Sequence, residues 1–67
     1  MSVPDRVLLL PEVAEMTKTP LATLRFLRHQ NRGPRTFRLG RRVVAMESDV
    51  LAWVAEQRAV EHPPSTQ

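Results

Sequence analysis

PEVAEMTKTPLATLRFLRH, residues 11–29, is the stretch whose reading decides the fold. Pro11 fits the first position of a helix, where its missing N–H costs nothing, and Glu12 and Glu15 suit the positive N-terminal half of that helix. Val13, Ala14 and Met16 can face inward, and the helix is expected to end near Thr17 or Lys18. A second helix starts with Thr19 as N-cap and Pro20 at its first position. Leu21, Leu24 and Leu27 recur at three-residue spacing and mark its buried stripe. Asn31, Gly33 and Pro34 then stop it, because Asn and Gly accept left-handed geometry and Pro cannot continue a helix. Ala14 is small where the two helices should touch. Lys18 stands in the turn where glycine is common, and a left-handed lysine costs about 1 kcal/mol, so a turn of different shape is expected.

Outward from this pair, Val7-Leu8-Leu9-Leu10 reads as a short buried strand or arm. Downstream, Thr36-Phe37-Arg38-Leu39 and Arg42-Val43-Val44-Ala45 flank Gly40-Arg41, a two-residue loop with Gly first that fits a type II′ hairpin turn. Phe37 and Val44 are expected to hold this hairpin against the core. Glu47 or Ser48 can cap a third helix, with Asp49 favourable in its first turn and Val50, Trp53, Val54 and Val60 as its inner stripe. Two short helices, a tight turn, a hairpin and a C-terminal helix describe an α+β, mostly helical, winged helix-turn-helix. Residues 7–60 form that one domain, between a flexible lead-in at 1–6 and a disordered tail at 61–67.

Charge points to the partner. The net charge is +3, but residues 18–42 hold eight positive side chains and no acid. Elsewhere two positives face seven acids, so the centre carries +8 and its frame −5. Such segregation suits a polyanion, and double-stranded DNA is the expected partner. Seven of the eight are arginine, whose planar fork matches phosphates and guanine edges.

At about 100° per residue the leucine stripe defines the inside of the second helix and leaves Ala22, Phe26 and His29 opposite, with Thr23 and Arg25 on the flanks. Ala, Thr and Phe can meet a thymine methyl, and Arg can fork onto guanine. Arg28 and Arg32 lie nearer the body and suit phosphates. Phe26 could instead pack under the hairpin, and His29 could be an ordinary exposed residue. At the hairpin, Arg38, Arg41 and Arg42 are the candidate contacts, to phosphates or into a narrow minor groove.

Other classes find little support. The 67 residues include no cysteine, and His29 and His62 match no metal-ligand spacing, so no cofactor is expected. No Ser/His/acid set or phosphate-cradling glycine loop suggests an enzyme. No apolar run approaches the roughly 20 residues needed to span a bilayer, no signal peptide is evident, and the expected location is the cytoplasm of a bacterial host.

Several blocks, in order, carry a family resemblance: Leu9-Leu10-Pro11-Glu12-Val13-Ala14-Glu15-Met16, Thr23-Leu24-Arg25, Arg32-Gly33-Pro34, Arg38-Leu39-Gly40-Arg41-Arg42-Val43 and Ser48-Asp49-Val50-Leu51-Ala52-Trp53. Together they resemble the excisionase/AlpA-like group of MerR-related winged helix proteins, over about residues 8 to 57. The resemblance implies a recombination directionality factor that binds attachment-site DNA in tandem copies, bends it, and turns a phage integrase toward excision. It maps the DNA contacts onto Ala22, Thr23, Arg25, Phe26 and Arg41. Leu10 stands where the group commonly has a Ser/Thr helix cap, and Phe26 where it often has Arg or another polar residue. An AlpA-like transcriptional regulator is the alternative, and the DNA-binding segment of a phage packaging subunit a weaker third.

Overall fold

The computed structural model describes residues 5–61; residues 1–4 and 62–67, read above as part of the lead-in and tail, lie outside the described residues. The elements run β1 (Val7–Leu9), α1 (Leu10–Thr17), α2 (Leu21–His29), β2 (Phe37–Leu39), β3 (Arg42–Met46) and α3 (Glu47–Glu61). Among the described residues these elements make an α+β fold of three helices and a three-stranded antiparallel sheet in the order β1-β3-β2.

The strand-or-arm alternative at residues 7–10 resolves as a strand one residue shorter. Val7, Leu8 and Leu9 pair with Met46, Ala45 and Val44. In an antiparallel pair directly opposed residues share a face. Leu8 and Ala45 are therefore neighbours on the face that meets the helices, and both are buried. They join Leu10, Val13, Leu24 and Val50 in one core, against which Ala14, Leu21 and Val43 pack.

α1 begins at Leu10, so Pro11 is the second helical residue rather than the first. The whole first turn lacks intrahelical partners for its N–H groups, which makes that position equally tolerant of proline. The N-cap is Leu9, whose side chain has no acceptor; instead Glu12 Oε1 accepts the Leu9 N–H at 2.7 Å. At the other end Lys18 takes the left-handed conformation (φ 56°, ψ 34°), Thr19 N–H donates to Ala14 O at 3.0 Å and Lys18 N–H to Glu15 O at 3.3 Å. This is the glycine-type helix end, so the turn keeps its ordinary shape and lysine bears the strain. Nor does Thr19 cap α2. Pro20 is extended (ψ 141°) and α2 starts at Leu21, which leaves Thr19 too far back; its hydroxyl donates to Thr17 O at 3.2 Å. α2 ends as α1 does, with Asn31 left-handed (φ 59°), Arg32 N–H on Leu27 O at 2.7 Å and Asn31 N–H on Arg28 O at 3.0 Å. Gly33 follows with positive φ, its Cα so near Leu27 that an added Cβ would lie 3.2 Å from the Leu27 Cβ.

The hairpin closes as expected. Leu39 pairs with Arg42 across Gly40-Arg41, and φ is positive at Gly40 but not at Arg41, the pattern of a type II′ turn. Val44 is buried, whereas Phe37 beside it remains partly exposed and holds the hairpin less firmly than expected.

α3 departs from its expectation at both ends. Its start is secured by Asp5, not by Glu47 or Ser48 alone. Asp5 Oδ1 accepts the Ser48 N–H at 2.9 Å, Oδ2 accepts the Ser48 hydroxyl at 2.5 Å, and Arg6 O accepts the Glu47 N–H at 2.8 Å. The β1–β3 pairing delivers this cap, because Val7 lies opposite Met46, immediately before the helix. The inner stripe is also shorter than expected. Val50 is buried and Trp53 half-buried, but Val54 is 40% and Val60 74% exposed. A five-residue strand cannot cover a 15-residue helix of about 22 Å, so the distal turns run past the core.

The Asp5 cap has a pH signature. The Ser48 hydroxyl, and then the Ser48 N–H, hold the Asp5 carboxyl below its usual value, which burial only weakly opposes. A depressed folded-state value contributes stability above about pH 3.9, the ordinary aspartate value, and loses it as pH falls through the folded-state value. Asp5→Asn should therefore melt at a lower temperature than the wild type at pH 7, and the gap should narrow as pH falls below about 3.9 and be closed at about pH 2. Thermal melts at both pH values check this, and a gap that persists in acid would contradict it.

Candidate nucleic-acid interface

With Leu24 buried and Leu21 and Leu27 partly so, α2 presents Ala22, Thr23, Arg25, Phe26 and His29 to solvent. Phe26 is 58% exposed, so it does not pack under the hairpin. Arg25, Arg28 and His29 form one wall of a cleft of about 460 Å³. Arg41, Arg42 and Val43 of the hairpin form the facing wall, and Leu9, Leu10 and Pro11, where β1 passes into α1, complete it. Arg28 is half-buried, and its Nε donates to Thr36 Oγ1 at 2.9 Å, which ties α2 to the segment entering β2. Its terminal nitrogens remain for other partners.

Arg32 belongs elsewhere. It lies with Arg28, Arg35 and the left-handed Asn31–Gly33 turn around a second cavity of about 340 Å³, and its Nη1 donates to Gln30 Oε1 at 3.3 Å. Arg28 alone borders both cavities. Arg38 is exposed on β2, opposite Val43, and lines neither.

The segregation of charge along the chain persists in space. Among the described residues the one ion pair joins exposed Lys18 and Glu15 at 3.6 Å; none of the arginines between 25 and 42 meets a described carboxylate. The acids Glu12, Glu15 and Glu47 instead border another groove of about 540 Å³ with Arg6, Leu8 and Met16, which meets the arginine cleft at Pro11. Uncompensated like charges fixed on short, packed elements repel one another, and an anion would relieve that repulsion. No group of three His, Cys, Asp or Glu side chains among the described residues could hold a metal ion. Among the described residues no helix is long and apolar enough to cross a membrane.

Sequence reasoning missed four contributors: Pro11 and Val43 as parts of the cleft, Thr36 as the tether of Arg28, and Arg35 beside Arg32. Arg35 was already visible in the basic run. The others depend on which elements touch, and no local pattern announces them. No family model, curated protein or solved structure matches this chain.

Proposed function

We propose that this chain is a non-enzymatic, winged helix-turn-helix DNA-binding protein, with α1 and α2 as the helix pair and the β2–β3 hairpin as the wing. The observation that carries the reading is the set of arginines on α2 and the hairpin tip, free of carboxylates and facing one cleft. Ala22, Thr23 and Phe26 on the exposed side of α2 are suited to thymine methyls in a major groove. Arg38, Arg41 and Arg42 serve the wing.

The narrower reading is a phage excisionase that acts in the bacterial cytoplasm, binds attachment-site DNA in several copies, bends it, and directs an integrase toward excision. The sequence blocks quoted above support it, and an AlpA-like transcriptional regulator would use the same surface at a promoter. Footprinting on the DNA surrounding the gene tests the choice. The excisionase reading expects adjacent protected sites beside an integrase core site, with anomalous gel mobility from bending. A single protected site over a promoter would favour the regulator, and no protection of any duplex would reject both.

A further inference from the structure

We propose that the cleft between α1, α2 and the hairpin seats the sugar-phosphate backbone of one DNA strand, so that all three elements grip the same strand. This rests on the DNA-binding reading and adds which part of the ligand enters the cleft and what the first helix contributes.

The lining decides between possible occupants. Arg25 and Arg28 on one wall and Arg41 and Arg42 on the other offer charge for phosphates. Apart from His29, the rest of the lining is apolar: Leu9, Leu10, Pro11 and Val43. A base edge would need donors and acceptors across the cleft, but at the β1–α1 junction Pro11 has no N–H and the Leu9 N–H is already given to Glu12 Oε1. That leaves His29 as the one polar side chain of the lining besides the arginines. The deoxyribose is the part of a nucleic acid that is apolar and flanked by phosphates on both sides, and it matches this alternation. Arg25 and Arg41 then act on one strand, rather than dividing base reading and backbone contact between helix and wing.

Two measurements on one DNA duplex at a single salt concentration test the proposal. Pro11→Asp places a carboxylate on the cleft at a position where acidic residues favour helix formation, so the fold should persist, as its melting curve would show. Met16→Asp makes the same charge change on the same helix, outside the cleft. Pro11→Asp should weaken binding about 10-fold and Met16→Asp no more than about 2-fold, the size of a remote, screened charge. In the second measurement, Arg25→Gln and Arg41→Gln should each lose about 10-fold, the scale of one charged contact. The double variant should fall well short of their product, because a strand released from one wall has little left to lose at the other. Equal losses from Pro11→Asp and Met16→Asp, or a double variant that loses the full product, would overturn the shared-strand cleft while leaving DNA binding intact. A wild-type chain that binds no duplex would overturn the functional reading itself.

Discussion

Leu24→Ala should remove about 2–5 kcal/mol of the protein's stability, a larger loss than from truncating Trp53 or Val60. Leu24 is 2% exposed and sits where α2 meets Leu8, Leu10, Val13, Ala45 and Val50. Truncating a leucine so enclosed typically loses about 2–5 kcal/mol, from lost transfer energy and from the cavity left behind. A domain of this size has about 3–10 kcal/mol in total, so one side chain holds much of it. Val60→Ala is the natural comparison, because Val60 is 74% exposed near the end of α3, and it should change stability by less than about 0.5 kcal/mol. Trp53→Ala should fall between them, since Trp53 is half-buried beside Leu27 and Gly33 rather than enclosed. Urea titrations followed by circular dichroism would rank the three. If Val60→Ala proved as damaging as Leu24→Ala, α3 would have to pack along its whole length, contrary to the fold described.

These rankings also show which parts of the fold were legible in the sequence. Local rules held where the deciding contacts are local. The Leu21, Leu24 and Leu27 stripe needs only helical periodicity, and the Gly40-Arg41 loop needs only the sign of one dihedral angle. They failed where a distant residue decides. Nothing near Glu47 and Ser48 reveals that Asp5, 43 residues earlier, caps α3; that follows from the pairing of β1 with β3. Val54 and Val60 continue the periodicity of Val50, but periodicity does not record where the core ends. Lys18 shows a third kind of failure, in which tertiary packing overrides local preference. The Ala14–Leu24 region needs a tight turn, and the lysine is held left-handed to provide it. At the candidate site the basic run was plain, but its division was not. Arg32 and Arg35 share one cavity and Arg25, Arg41 and Arg42 another, a grouping that only the placement of the hairpin against α2 determines.

That division sets the scale of the largest expected effect, the loss of DNA affinity with salt. Each phosphate neutralised on B-form DNA contributes about 0.9 to the slope of log affinity against log salt, because condensed counterions are released. If only the cleft arginines, Arg25, Arg28, Arg41 and Arg42, meet phosphates, the slope should be about −3.6, and raising salt from about 50 to about 200 mM should weaken binding by about 150-fold. If Lys18, Arg32, Arg35 and Arg38 engage as well, the slope approaches about −7 and the loss exceeds about 10,000-fold. Anisotropy titrations of one duplex at four or more salt concentrations distinguish these cases. Arg32→Gln adds a spatial test: it should leave a slope near −3.6 unchanged, because Arg32 borders the second cavity, but should flatten a slope near −7 by about one contact. A slope shallower than about −1 would mean that the uncompensated arginines do not meet DNA phosphates, and the electrostatic basis of the proposed function would fall.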